Sequence, residues 1–217
     1  MKYYIGIDPS INSTGICMQK FDGDVKIKED FIILKPADYN KLESKWLNKK
    51  EKEAENTIEH FQYCFYEKRD LSIYKDYSHF QEYWKSWNMC TCAKTIYNLI
   101  KDWTKDNPEG IYIVIEGISY GSAQRTKSIF DLAGLNYLIR DKFIEKEGYT
   151  FIITPPSEIK KFASGNGNCN KDIMINIFTI NHPEFKIVPK VDDISDAWFM
   201  SNFSKYFIEN NIDKGEN

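Results

Sequence analysis

The sequence predicts an α/β domain built on a mixed five-stranded sheet that is flanked by helices. Three extended segments with short connections come first, and they indicate an antiparallel three-strand meander. Helical and extended patterns then alternate, which indicates parallel strands joined by helical crossovers. At 217 residues the chain is long enough to bury one substantial core. We therefore treat 1–217 as a single domain with a helical insertion at about 38–87.

The meander occupies the first 34 residues. The apolar run Lys2–Asp8 ends on a carboxylate and leads into a turn rich in Pro, Ser, Asn and Gly, which is typical of a buried strand with one acid at its exposed end. Extended segments follow at Thr14–Gln19 and Val25–Leu34, separated by the strong hairpin signal Asp-Gly. A lone Asp at a strand end also serves to cap a turn, so Asp8 by itself does not define a site.

The segment at about 38–87 differs in composition from the rest of the chain. It is rich in lysine, glutamate and aromatic residues, and Lys49–Glu55 has the mixed charges of an exposed helical face. A charge run of this kind is usually only a solvated helix surface. We therefore expect the insertion to be helical.

The second half of the chain alternates helices with strands. Apolar spacing predicts helices at 88–106, 122–147, 157–163, 171–180 and 192–210, and strands at 111–116 and 150–154. The strand at 111–116 is again an apolar run that ends on a carboxylate, Glu116. The last helix begins with three further acids.

Four carboxylates are expected to meet at one edge of the sheet. Asp8 and Glu116 end buried strands, and open α/β sheets bind ligands at that end. Asp193 and Asp196 lie three residues apart on one helix face, although Asp192 and Asp196 would share a face equally well. Acids in a first helical turn also simply complement the helix dipole. Four converging acids repel one another, however, and a divalent cation relieves that repulsion.

The ligand types indicate which metal would bind. Carboxylate oxygens without His or Cys select Mg²⁺, with Mn²⁺ as a substitute, and two ions about 3.5–4 Å apart can promote hydrolysis of a phosphodiester. The five cysteines include no C-x-x-C pair, and His60, His79 and His182 are far from metal-ligand spacing, so the sequence predicts no zinc site. The acids therefore predict a metal-dependent nuclease with two Mg²⁺ ions per active site.

Composition limits the partners and the location. With 29 Lys plus Arg against 32 Asp plus Glu, the formal charge of -3 gives no global attraction for nucleic acid, so DNA contacts must be local. The N-terminus has no signal-peptide pattern, and no apolar stretch has membrane-spanning length. We expect a cytoplasmic protein without a membrane partner.

Four motifs, in order, resemble those of the RuvC family of Holliday junction resolvases. Gly6–Gly15 resembles the opening strand and turn of that family, and Ile115–Glu116 resembles its second acid strand. Asp193–Ala197 resembles its closing D-x-x-D-A helix. Ile159–Lys171 has the family's V-K-x(4)-G-x-G-x(3)-K spacing without a gap. The resemblance covers roughly 1–34 and 88–210.

The resemblance implies an RNase H-like fold, a homodimer with two active sites, and paired nicks across a four-way DNA junction. The metal ligands that it implies are Asp8, Glu116, Asp193 and Asp196. Lys160 and Lys171 would contact phosphates near the cleavage point, and Lys171 would also stabilise charge in the transition state. Lys161, next to Lys160, joins the expected DNA contacts. The alternative for Lys160 and Lys171 is a solvated lysine on a helix or loop, which the motif spacing makes the less favoured interpretation.

The chain departs from the family pattern in two places. The insertion at about 38–87 is far longer than the connection in a typical bacterial member, and it would reshape the DNA groove, alter the dimer interface or bind another protein. Bacterial members also have an aromatic residue where this chain has Ser119. The neighbouring Tyr120 is either an ordinary loop residue or one that stacks on a base, a contact of about 1–3 kcal/mol. We expect Arg125 and Lys127 to lie against the DNA backbone.

These departures, together with the composition, are compatible with a viral member of the family. Such members act on a wider set of branched DNA, in the infected-cell cytoplasm rather than the nucleoid. The leading hypothesis is therefore a Mg²⁺-dependent endonuclease that is selective for four-way and other branched DNA.

Other functions remain open at this point. An RNase H that cuts RNA in RNA–DNA hybrids would use the same fold and acids, but the Lys160–Lys171 motif favours the resolvase. An inactive RuvC-like module that binds DNA would be indicated by loss of an acid, and none is missing. An actin-like ATPase would need a second glycine-rich phosphate hairpin, which the sequence lacks.

Overall fold

A mixed sheet of six strands forms the centre of the protein. The computed structural model describes residues 1–38, 47–105, 110–118, 126–144 and 148–211, without the side chains of 126–128. The strands are β1 (Lys2–Asp8), β2 (Thr14–Asp22), β3 (Val25–Asp38), β4 (Phe61–Lys68), β5 (Ile111–Glu116) and β6 (Tyr149–Thr154). The helices are α1 (Lys49–Thr57), α2 (Ser78–Thr104), α3 (Thr126–Ile144), α4 (Pro156–Ser164), α5 (Lys171–Asn181) and α6 (Val191–Asn211), with short 3₁₀ helices at Ser72–Tyr74 and Pro183–Ile187.

The strand order is β4-β3-β2-β1-β5-β6. Strands β1, β2 and β3 form the antiparallel meander, and Asp8 pairs with Gly15 where the first turn closes. Strand β5 lies parallel to β1, and β6 lies parallel to β5. The predicted mixed sheet with flanking helices is confirmed.

The sheet contains one strand more than the sequence predicted. The segment Phe61–Lys68, assigned above to a helical insertion, forms β4 and pairs in parallel with Phe31–Asp38 of β3. Its aromatic residues favour extended structure, and the long β3 would otherwise leave its outer edge unpaired. The charged segment before it forms α1, so the described part of the insertion is a helix, a strand, a 3₁₀ turn and the start of α2.

Helices cover both faces of the sheet. One apolar cluster joins residues of α1, α4, α5 and α6 to strand residues such as Cys17 and Val114. The other joins α2 and α3 to strand residues such as Ile5 and Ile113. Burial on two faces explains why β1 and β5 are almost continuously apolar rather than alternating.

Within the described ranges, none of the helices combines the length and the apolar character needed to cross a membrane.

Candidate active site

Two of the predicted acids lie side by side at the carboxyl ends of neighbouring strands. Ile7 of β1 is in register with Ile115 of β5, so the next residues, Asp8 and Glu116, end neighbouring parallel strands. The two carboxyl groups interact, since the charge of Glu116 raises the pKa of Asp8 after the larger effect of burial. Strand pairing therefore brings together two acids that are far apart in the sequence.

The first turn of α6 adds two further acids because two glycines allow this helix to lie directly on the strands. A Cβ at Gly6 would overlap the carbonyl oxygen of Ala197, and a Cβ at Gly15 would overlap that of Asp193. Glycine inside a strand often marks such a close approach of backbone. The absent side chains thus allow Asp193 and Asp196 to approach Asp8.

Burial and mutual repulsion perturb all four acids. Burial raises the pKa of Asp8 well above its ordinary value, and the charges of Glu116, Asp196 and Asp193 raise it further. Burial, followed by the charge of Asp196, raises the pKa of Glu116. Burial likewise raises the pKa of Asp193, and it raises that of Asp196 to about 6. These carboxylates oppose one another's ionisation, which is the electrostatic character of a cation site.

Asp192 and Asp193 make different contacts. Ser13 in the turn after β1 donates its hydroxyl proton to Oδ2 of Asp193 over 2.5 Å. Asp192 instead forms an ion pair with Lys171, with Nζ and Oδ2 2.7 Å apart. This ion pair lowers the pKa of Asp192, even though burial alone would raise it. The side chain of Asp193 therefore faces the turn after β1, and the side chain of Asp192 faces α5.

The predicted lysines come from α4 and α5. Lys171 is the first residue of α5, and its Nζ also lies 3.6 Å from Oδ2 of Asp196. Burial alone would lower the pKa of Lys171, but the hydrogen bond to Asp192 and the nearby acids raise it overall. Lys160 lies close enough to Glu116 to lower the pKa of that carboxyl. Lys161 is exposed on α4.

Three predicted DNA contacts cannot be placed in the same way. Tyr120 and Arg125 lie outside the described residues. Lys127 belongs to α3, but its side chain lies outside the described part of the chain. These three contacts stay predictions.

Polar residues that the sequence did not single out hold the strand ends in place. Asn136 of α3 donates to the backbone oxygen of Glu116 over 2.7 Å and accepts from Arg140. Tyr66 of β4 donates its hydroxyl proton to the backbone oxygen of Ile11 over 2.7 Å, so the added strand supports the turn after β1. No local sequence signal marks the contacts of Asn136 with Glu116 and of Tyr66 with Ile11, because each joins different elements of the chain.

The acid cluster fits hard divalent cations. Its donors are all carboxylate oxygens, and burial and mutual repulsion raise their pKa values. No three of these acids have possible ligand atoms that all lie within 4.8 Å of one another. Among the described residues, the group that meets this criterion is His60, His182 and Glu184.

Strand order, acid positions and the final helix define the class of fold. An antiparallel meander whose first strand pairs in parallel with β5 on its other side, with a closing helix packed across it, is the RNase H-like arrangement. In this chain, Asp8 and Glu116 lie at the carboxyl ends of the adjacent strands β1 and β5.

Solved structures of Holliday junction resolvases have a similar fold. The fold is similar to that of RuvC from Thermus thermophilus, with a TM-score of 0.55 and 11% identity over 96% of each chain. T. thermophilus RuvC in complex with its Holliday junction substrate matches with a TM-score of 0.51 and 10% identity, again over 96% of each chain. The yeast mitochondrial Holliday junction resolvase Ydc2 is 16% identical over 94% of this chain and 83% of its own, with a TM-score of 0.46.

No family model and no curated protein sequence matches the chain. At such low identities the structural matches establish the fold, so the predicted RuvC-like fold is confirmed. Conclusions about chemistry rest on the residues of this chain.

Proposed function

We propose that the protein is a metal-dependent, structure-selective endonuclease that resolves four-way and other branched DNA by paired nicks. The observation that carries this proposal is the meeting of Asp8, Glu116, Asp193 and Asp196 at one edge of an RNase H-like sheet, with raised pKa values. The matched structure of RuvC with a Holliday junction supports branched DNA as the substrate class. Such an enzyme acts where that DNA is, in the nucleoid or the cytoplasm of an infected cell.

The four acids would hold two Mg²⁺ ions, or Mn²⁺ in their place, because hard carboxylate oxygens prefer these cations. When bound, such ions lower the pKa of a water and neutralise charge on a phosphodiester. Ser13 orients Asp193 by binding Oδ2, which leaves Oδ1 available as a ligand. Asn136 fixes the backbone at Glu116, so the acid at the end of β5 keeps its position beside Asp8.

The lysines would bind the phosphates that flank the cleavage point. The side chain of Lys171 is half exposed although its Nζ is held beside Asp192, so a phosphate can reach it. Its raised pKa keeps the ammonium group charged at neutral pH. Lys160 lies near enough to Glu116 to lower the pKa of that carboxyl, and the exposed Lys161 would contact the DNA backbone farther from the acids. Tyr120, Arg125 and Lys127 remain proposed contacts from the neighbouring segment.

The test is cleavage of a synthetic four-way junction beside a linear duplex, a fork and an RNA–DNA hybrid, with Mg²⁺ and with a chelator. We expect paired nicks on the junction that require Mg²⁺. Cleavage confined to the hybrid would identify an RNase H-type activity instead. Junction binding without cleavage would identify an inactive DNA-binding module, and either outcome would overturn the proposal.

A dimer would supply the two active sites that paired nicks require, and α3 offers a surface for it. Phe130, Tyr137 and Ile144 are exposed by 73%, 64% and 73%. Their seven-residue spacing places them along one side of the helix, as in helices that pair. We propose that this apolar stripe packs against a second copy of the chain.

Phe130→Glu is therefore expected to convert a dimer into a monomer, because it places a charge within the apolar interface. Light scattering at assay concentrations measures the mass directly. Ile180→Glu is the matched control, since Ile180 is 79% exposed on α5, away from the stripe. A wild-type monomer, or a Phe130→Glu variant that remains dimeric, would contradict the proposed interface.

A further inference from the structure

A second group of metal-ligating side chains lies away from the acid cluster. His60 directly precedes β4, His182 directly follows α5, and Glu184 belongs to the 3₁₀ helix Pro183–Ile187. One possible ligand atom from each lies within 4.8 Å of the others. Lys171 is at the opposite end of α5, and an eleven-residue helix is about 16 Å long. The group is therefore separate from the proposed active site.

The distances within this group resemble the edges of a metal coordination shell. Oε1 of Glu184 lies 3.6 Å from Nε2 of His60 and 3.5 Å from Nδ1 of His182. Both distances exceed the range of good hydrogen bonds. Ligands about 2.0–2.2 Å from a tetrahedral Zn²⁺ ion lie about 3.3–3.6 Å from one another. The observed spacing thus matches zinc ligands better than a hydrogen-bonded triad.

The surrounding structure orients His182 for metal binding. Its ring stacks on Phe178 with centroids 5.0 Å apart, and Trp198 packs edge-on at 5.4 Å. Its second nitrogen, Nε2, lies 3.7 Å from Oε2 of Glu29. Glu29 is itself fixed by Gln19, which donates to Oε1 over 2.6 Å. Glu29 thus lies on the Nε2 side of the ring, and Nδ1 is the nitrogen that faces Glu184.

The other two ligands combine a fixed backbone with access to solvent. The backbone oxygen of His60 accepts a hydrogen bond from Phe31 of β3 over 2.8 Å, so the start of β4 is anchored. The side chains of His60 and Glu184 are each 36% exposed. An ion can therefore reach the group from solvent, and a water can complete the coordination shell.

We propose that His60, His182 and Glu184 bind one Zn²⁺ ion that fastens the added strand β4 to the end of α5. Two imidazoles and a carboxylate form a common zinc ligand set, unlike the all-oxygen set of the acid cluster. The ion would join segments that are separated by more than half of the chain. Because the unfolded chain lacks the assembled site, bound zinc stabilises the folded protein.

The test compares zinc binding by the wild type with binding by His60→Gln and Glu184→Gln, in saturating Mg²⁺ to occupy the acid cluster. His79→Gln is the matched control, because His79 is an exposed histidine outside the group. We expect one tightly bound Zn²⁺ per chain in the wild type and the control, and at least a tenfold weaker site in the two variants. Zinc should also raise the Tm of the wild type by about 5 °C or more.

Cobalt distinguishes this site from the acids. Co²⁺ in a site with two imidazoles should give the strong visible absorption of four-coordinate cobalt, and His60→Gln should lose it. His182→Gln is a less clean variant because the ring is packed in the core, so the exposed ligands carry the test. Equal zinc affinity in the wild type, His60→Gln and Glu184→Gln would overturn the proposal, as would a wild type that binds no zinc.

Discussion

The Asp8→Asn variant is expected to lose junction cleavage and yet to be more stable than the wild type without metal. Removing one acid from the proposed metal site should lower the cleavage rate about a thousandfold or more, since metal ions contribute several kcal/mol to such reactions. The ionised Asp8 is buried among Glu116, Asp196 and Asp193, so it opposes folding until a cation binds. A neutral Asn removes that cost.

The stability gain should depend on pH in a defined direction. An acid whose pKa is raised by folding binds its proton more tightly in the native state, so its destabilising effect grows as the pH rises through that interval. For Asp196 the interval runs from the ordinary value of 3.8 to about 6, which corresponds to about 3 kcal/mol. Asp8 should behave in the same direction. The advantage of Asp8→Asn should therefore be small near pH 4 and large at about pH 7.

Thermal unfolding in a chelator across this pH range measures the effect, and added Mg²⁺ should then stabilise the wild type more than Asp8→Asn. Asp24→Asn is a suitable control, since Asp24 is fully exposed in the turn between β2 and β3, at the far end of the sheet. It removes the same charge without touching the acids. An Asp8→Asn variant that cleaves normally, or that is less stable than the wild type at neutral pH in chelator, would contradict the proposed metal site.

The sequence predicted the acid pairing because the relevant information is local. An apolar run that ends on a carboxylate marks a strand end, and both Asp8 and Glu116 follow this pattern. Parallel pairing of their strands then places the two acids together. The helical spacing of Asp193 and Asp196 was equally visible. These parts of the site follow from periodicity and sheet geometry.

Other parts of the structure depend on contacts between distant segments. The charged neighbours of Phe61–Lys68 suggested helix, but pairing with the edge of β3 makes this segment a strand. Histidine spacing argued against zinc, whereas the fold brings His60 beside His182 and Glu184. Gly6 and Gly15 belong to the first motif of the sequence. Their structural role is to let α6 lie close to the strands, and it becomes visible only in the folded structure. Tertiary packing decides each of these cases.

The first turn of α6 contains adjacent acids that the sequence could not distinguish. Asp193 accepts a hydrogen bond from Ser13 and raises the pKa of Asp8 through its charge. Asp192 pairs with Lys171, and both side chains are partly exposed. A partly exposed ion pair contributes about 1 kcal/mol or less, which corresponds to less than about tenfold in a rate. Loss of a metal ligand costs far more.

Asp193→Asn is accordingly expected to lower the single-turnover cleavage rate about a hundredfold or more, because it removes a proposed ligand charge. Asp192→Asn should lower the rate less than about tenfold, because Lys171 remains beside Asp196. The two variants change the same charge at adjacent positions, so each controls for the other. Titrating Mg²⁺ for both should show a raised metal requirement for Asp193→Asn alone. Normal cleavage by Asp193→Asn with an inactive Asp192→Asn would transfer the ligand role to Asp192 and reverse the assignment of the first turn of α6.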